Sequence, residues 1–241
     1  MKRKKHRSRF LKNIRNPSIK KQHNVVLSKI ERIRDKHLYN LYFDGQPLLR
    51  IHEEVLVKFG LRTGDSIGEE TFDTLKSSEE FVLAKREALA ILNRRARSEK
   101  ELRDRLRNKE YHPRIISLVV THLNEQGLLD DKQFARIFTR HILSRKPAGK
   151  ALLQRELRLK GISQSLTKDI LNETLQEQSE EELALAAVTK LLNRRPMTKQ
   201  AHDGKGDKQR LISYLSRRGF SWQTIHSVMR KLASPTPDFP E

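Results

Sequence analysis

The chain has 241 residues, enough for one or two ordinary domains or for a row of small repeated units. It is 36% hydrophobic and 33% charged, which predicts a core distributed along the chain rather than one thick one. The absence of Cys excludes disulfides, thiolate metal sites and Cys nucleophiles, and ten Gly with eight Pro argue against an all-β sandwich. No segment approaches the roughly 18 apolar residues of a membrane span, and no apolar stretch follows the basic start. A soluble, cytoplasmic protein that meets no membrane is expected.

The formal charge is +20, from 50 Lys and Arg against 30 Asp and Glu. Residues 1–24 hold ten of those bases and no acid, and residues 84–178 hold 21 bases against 12 acids. Such a balance suits a polyanionic partner, because each neutralised phosphate releases a condensed counterion. For residues 1–24, read as an unstructured tail, nucleic-acid contact and mere solubility both fit.

From residue 25 to 77 the pattern describes a small β-hairpin plus helix module. Val25–Arg34 reads as a strand. Leu38–Phe43 and Gln46–Arg50 flank Asp44-Gly45, a strong hairpin signal because both turn positions need positive φ. Pro47 places its strand at a sheet edge. His52–Phe59 reads as a short helix with acids at its start and Gly60 as its stop.

From Ser78 onward the signals are helical. Ser98–Glu101 and Ser179–Glu182 are capping boxes, and Pro113 opens a helix stopped by Gly127. Asp130 can cap the next helix, Gly161 and Gly219 end two more, and Ser163 and Ser221 start their successors.

Three segments superpose when Tyr111, Ile162 and Phe220 are aligned, at offsets of 51 and 58 residues. Leu102, Leu153 and Leu211 then coincide, as do Leu106, Leu157 and Leu215, and Val119, Ile170 and Val228. Two apolar rungs, a break and a second apolar helix describe a helix pair hinged at a tight turn. A further helix precedes each pair: Ala88–Leu92, then Phe134, Ala135, Ile137 and Phe138, then Leu183–Leu192. The predicted fold is mainly α: three tandem three-helix modules (78–128, 129–178, 179–233) in an elongated, curved array behind the N-terminal module. A loop from Met197 to Asp207 and a Pro-rich tail from residue 234 to 241 complete the division.

Several of these runs resemble the RecX family of regulatory proteins. Arg97–Leu106 resembles its first repeat, and Gly149–Gly161, ending in Leu157-Arg158-Leu159-Lys160-Gly161-Ile162, its second. Gly127-Leu128-Leu129-Asp130-Asp131-Lys132-Gln133-Phe134-Ala135-Arg136 resembles the family's Gly-x-x-Asp-Asp-x-x-Phe/Tyr-Ala junction between repeats. Leu56–Gly64 is similar to the N-terminal extension of some members. The resemblance implies a bacterial, non-catalytic protein that binds the RecA recombinase filament along its groove. It further implies inhibition of recombination, ATPase and coprotease activities, and so modulation of DNA repair and the SOS response. Some members also bind DNA, single- or double-stranded. A monomer without cofactors is expected.

The residues offer no catalytic constellation. Asp130-Asp131 could serve a metal-dependent nuclease, but a cap followed by a first-turn acid explains the pair better. The nine His form no His-Glu-x-x-His pattern, and Gly204-Lys205-Gly206 lacks the phosphate-loop spacing. Candidate contacts are basic. Arg94, Arg95 and Arg97 end the first long helix, Arg103 and Arg107 lie one turn apart, and Arg140, Arg145, Lys146 and Lys150 surround a loop. Arg155 and Arg158 follow. Guanidinium groups suit phosphates and carboxylates alike, so these could face DNA or an acidic protein. Intrahelical pairs such as Glu99–Arg103 and Glu101–Arg105 would neutralise part of the set. Trp222, the sole Trp, is expected to pack. Gly127, Asp130, Asp131, Phe134, Ala135, Gly161 and Gly219 are read as structural. The rival functional reading is a helical-repeat nucleic-acid-binding protein independent of RecA, since hinged helix pairs imitate helix-turn-helix units.

Overall fold

A computed structural model describes residues 24–34, 37–194 and 205–233. Nearly all of the expected basic tail, most of the Met197–Asp207 loop and the tail 234–241 lie outside these residues. The described chain forms two compact units, one taking in the chain to Arg94 with Arg103–His122, the other Arg95–Leu102 with the chain from Leu123 onward.

In the first unit, alternating apolar residues build an antiparallel sheet. Strands β1 (Val25–Ile33), β2 (Leu38–Phe43), β3 (Gln46–His52) and β4 (Ser66–Ile67) stand in the order β3-β2-β1-β4. Asp44 and Gly45 turn the hairpin with φ of 48° and 79°, as the sequence requires, and Pro47 lies on the edge strand. The apolar face of Leu27, Leu41, Phe43, Leu49 and Ile51 is covered by Val55 of helix α1 (Glu53–Phe59) and by Phe72, Leu75 and Val82 of α2 (Glu69–Leu92). Phe43 and Phe72 meet edge to face at 5.5 Å.

Helix α2 therefore begins well before Ser78 and runs through the expected module boundary without a break. Its first half belongs to the sheet, whose core needs Phe72 and Leu75. Glu79, fully buried, ties the two together by accepting the His52 N–H at 2.7 Å and meeting the His52 ring Nδ1 at 2.7 Å. β4 is an addition to the expected hairpin, pairing only with Val25 and Val26.

The remaining helices are α3 (Glu99–Arg107), α4 (Pro113–Glu125), α5 (Asp131–Arg145), α6 (Lys150–Leu159), α7 (Gln164–Glu177), α8 (Glu180–Arg194), α9 (Lys205–Arg217) and α10 (Trp222–Ala233). The expected long loop is thus shorter at its end, because Lys205–Asp207 already form the first turn of α9, where Asp207 pairs with Arg210 at 3.2 Å.

The three repeats share one hinge. The residue before each aligned anchor is left-handed: Glu110 at φ 64°, Gly161 at 84° and Gly219 at 78°. Each donates its N–H three residues back at 2.9 Å, to Arg107, Arg158 and Ser216. The anchors Tyr111, Ile162 and Phe220 donate to Leu106, Leu157 and Leu215 at 3.4, 3.1 and 3.2 Å. This is the Schellman ending, and it brings each buried anchor beside the buried leucine that accepts its N–H. All the aligned rungs are buried (Leu102, Leu153, Leu211; Leu106, Leu157, Leu215; Val119, Ile170, Val228). Gly127 closes α4 in the same way.

Helix starts follow their caps. Asp130 accepts N–H groups from Lys132 and Gln133 at 2.7 and 3.0 Å, and Phe134 and Ala135 are buried behind it. Ile137 departs from the expected apolar face and is exposed, since it lies off the side shared by Phe134 and Phe138, whose rings stack at 5.6 Å. The Ser179–Glu182 box is complete, with bonds of 2.9 and 3.2 Å. The Ser98 box is half formed: Ser98 Oγ accepts the Glu101 N–H at 3.2 Å, but the Glu101 carboxylate turns away to Lys160 at 2.6 Å.

Within the second unit, adjacent modules meet by one repeated device. The start of the middle helix of one module sits on the left-handed turn of the next. Ser98 Oγ donates to Lys160 O at 2.7 Å, and a Cβ placed on Gly161 would fall 2.6 Å from Lys100 Cβ. At the second joint Gly149 and Ala151 donate to Arg218 O and Gly219 O at 3.0 and 3.1 Å. A Cβ on Gly219 would fall 2.3 Å from Leu152 N, so backbones touch there. An acid from the next module then caps the same helix start: Asp131 accepts the Glu99 N–H at 2.8 Å, and Glu180 accepts the Lys150 N–H at 3.0 Å.

Two outcomes follow. Glu110 alone of the three hinge residues carries a side chain in a left-handed conformation, a strain of about 1 kcal/mol. Glu110→Gly should raise the melting temperature by roughly 2–4 °C. Burial pushes the Asp131 carboxyl above its ordinary value, against the lowering effect of the Glu99 N–H. Protonation therefore favours the folded state, and that stability is lost as pH rises through the folded pKa. Asp131→Asn, which keeps an acceptor without the charge, should be at least as stable as the parent at pH 7, its advantage shrinking as pH falls through the raised folded pKa and gone below the ordinary Asp value of 3.8. Asp131→Ala should lose about 1 kcal/mol in a denaturant melt.

Candidate functional site

The basic residues singled out by sequence separate into distinct environments. In the first unit Arg94 is exposed just beyond the Asn93 cap of α2. Arg103 reaches Ser117 Oγ at 3.2 Å, and Arg107 pairs with Asp104 at 3.0 Å.

Arg95 and Arg97 require a correction. They do not end the long helix, which stops at Leu92, but lie past it in the second unit around Glu101. Arg95 stands 3.6 Å and Arg97 3.7 Å from that carboxylate, and the Arg97 side chain is only 9% exposed. Burial raises the Glu101 pKa, but the hydrogen bond and charge of Lys160, with the charges of Arg95 and Arg97, outweigh it and hold the carboxyl below its ordinary value. This explains why Glu101 is not turned to Arg105, and it makes Arg97 part of the joint.

On α5 the cations are met by acids of α7. Arg136 holds Glu173 through two bonds of 2.8 and 2.9 Å, and Arg140 lies 3.6 Å from Glu177. Arg145 and Lys146 have exposed side chains, while their carbonyls accept from Lys190 and Arg218 at 2.9 and 2.6 Å.

Helices α6 and α7 bring the remaining candidates together. Lys150, Arg155 and Arg158 line a shallow groove of about 610 Å³ with Lys168, Gln154 and Gln164, and no carboxylate lines it. Among the described residues Lys150, Arg158 and Lys168 have no acidic partner, and Arg155 reaches only its chain neighbour Glu156 at 3.3 Å. Lys168 was missed by sequence reasoning. Its spacing of four from Gln164 marks a polar stripe on α7, but only the hinge at Gly161 shows that this stripe faces Arg155 and Arg158. Four cations around an apolar floor of Ala151 and Ile162 can hold an anionic chain.

Trp222 is the second correction. It is 62% exposed rather than packed, standing in the first turn of α10 while Ile225 and Val228 are buried. Its ring meets His226 edge to face at 4.7 Å.

The Asp130-Asp131 pair is committed to backbone N–H groups at two helix starts. No group of three His, Cys, Asp or Glu among the described residues could hold a metal. No helix among them is long and apolar enough to cross a membrane.

Comparison with known proteins extends this picture. Family models for the first, second and third three-helix domains of RecX match residues 84–123, 130–171 and 179–229. The regulatory protein RecX of Bacillus subtilis is 31% identical over 197 residues, 80% of this chain and 72% of the relative. That of Clostridium acetobutylicum is 27% identical over 212 residues, 87% of this chain and 97% of the relative. A crystal structure of a regulatory protein RecX superposes with a TM-score of 0.70 at 25% identity, covering 86% of this chain and 99% of that one. Three modules in the same order, each hinged at the same left-handed turn, make this chain a member of the RecX family.

Proposed function

We propose that the chain is a non-catalytic regulator that binds the RecA recombinase filament and inhibits its recombination, ATPase and coprotease activities, thereby modulating DNA repair. Membership of a family whose curated relatives are named regulatory protein RecX carries this reading. The surface chemistry supports it. The candidate carboxylates are occupied in capping, while the exposed cations of α6 and α7 are available to a partner.

Inhibition without chemistry needs only contacts that hold subunits in one state. Three modules on one chain link such contacts, so each raises the effective concentration of the next. The protein acts in the bacterial cytoplasm as a monomer with no cofactor.

The basic groove also favours a second reading, a nucleic-acid-binding protein that competes with RecA for DNA. The two separate in one assay. Single-strand-stimulated ATP hydrolysis by RecA from the same organism should fall at substoichiometric amounts of this protein, and the inhibition should persist when single-stranded DNA is in excess. Inhibition that excess DNA abolishes, or that an unrelated protein of similar net charge reproduces, would contradict direct filament binding.

A further inference from the structure

The first unit holds a cluster of side chains that neither its core nor the filament reading uses. His52, Lys58 and Arg86 line a shallow pocket of about 570 Å³ together with Glu53, Glu54 and Val57. The imidazole there is braced. Fully buried Glu79 accepts the His52 backbone N–H and meets ring Nδ1, each at 2.7 Å. Tying β3 to α2 accounts for that one ring nitrogen. The other, Nε2, has no protein partner among the described residues and is not sealed in the interior, and the ring lines the pocket.

The charges around the pocket do not cancel. Glu53 is engaged by His37 Nδ1 at 2.9 Å and by the Tyr39 hydroxyl at 3.4 Å. Glu54 turns to Lys85 at 3.4 Å rather than to Lys58, one turn along its own helix. Lys58 lies over the Phe59 ring at 5.8 Å, and among the described residues neither it nor Arg86 has a carboxylate partner. Arg86 follows Glu79 by two turns of α2, on the same face as buried Val82. Two unpaired cations therefore stand beside an imidazole with one nitrogen to offer.

We propose that this pocket binds a small phosphomonoester, with Lys58, Arg86 and His52 Nε2 on the phosphate and the body of the ester against Val57. An ammonium and a guanidinium neutralise a phosphate dianion through charge-assisted hydrogen bonds. Nε2 serves in either protonation state, donating to a phosphate oxygen or accepting from a P–O–H group. The volume falls within the range of about 300–1,000 Å³ common to small-molecule sites, so it leaves room beyond the phosphate. Val57, 73% exposed, supplies an apolar wall, and the Glu54 carboxylate can accept a hydroxyl of a polyol. The site lies within the first unit, and its failure leaves the filament reading untouched.

The full chain, without RecA or nucleic acid, is titrated with ribose 5-phosphate while the His52 ring is followed by NMR. Loss of its signals in His52→Asn assigns them. They should shift and saturate with the ester, stay in place with ribose, and respond to inorganic phosphate roughly tenfold more weakly. Replacing Lys58 and Arg86 together by Gln should raise the midpoint at least about tenfold, the worth of one charge-assisted bond. Both side chains are exposed, so the melting temperature should hold. The same exchange at exposed Arg62 and Lys208 removes equal charge and should leave the midpoint unmoved, which separates the pocket from general attraction to a +20 chain. In His52→Asn the amide replaces Nδ1 as donor to Glu79 while Nε2 is lost, so calorimetric affinity should fall about tenfold in a folded protein. His52 signals unmoved by millimolar ester would overturn the proposal. So would equal losses in the two double variants, or equal affinity for the ester and for inorganic phosphate.

Discussion

The molecule depends on a left-handed residue used twice. At Gly161 and Gly219 positive φ ends one helix and lets the chain reverse into the next, while two N–H groups return to carbonyls of its last turn. The same residues lack a Cβ where the neighbouring module arrives, and so admit Lys100 and Leu152 at distances no side chain would allow. Hinge and joint are one position. In the first module the hinge residue is Glu110, which meets the conformational requirement at some strain.

Because the hinge and the buried rungs define each module, the exposed faces are free to differ. The second module carries a cationic groove, its own outer stripe on α5 is neutralised by Glu173 and Glu177, and the third presents Trp222. A regulator with several linked contacts needs this division. Rigid joints fix where each face points, and divergent surface residues decide what each face recognises.

What sequence revealed was local. The Asp44-Gly45 turn, the Asp130 cap, the left-handed glycines and the buried rungs each rest on residues within a few positions of one another, where stereochemistry leaves few alternatives. What it missed was set by distant partners. Arg97 is buried because Glu101 also gathers Lys160, and the capping box at Ser98 is half formed because the Glu101 carboxylate goes to the Lys160 ammonium. α2 extends back to Glu69 because a sheet far upstream needs Phe72 and Leu75 covered. For Trp222, size and apolarity suggested burial, yet the third module's core is already filled by Phe220, Ile225 and Val228. The basic site was half legible for the same reason. Arg155 and Arg158 follow from one helix, while Lys168 joins them only through the turn.

The dual role of the hinge glycines is tested most directly by comparing Gly127→Ala with Gly219→Ala in equilibrium denaturant melts. Both positions are left-handed, at φ 66° and 78°, so both variants bear the same conformational strain of about 1–2 kcal/mol. A Cβ at Gly127 meets nothing within 4 Å, whereas one at Gly219 meets Leu152 backbone at 2.3 Å. If hinge and joint are one position, Gly219→Ala loses clearly more stability than Gly127→Ala and releases the third module to unfold in an earlier, separate transition. Equal losses with a single shared transition would contradict that dual role.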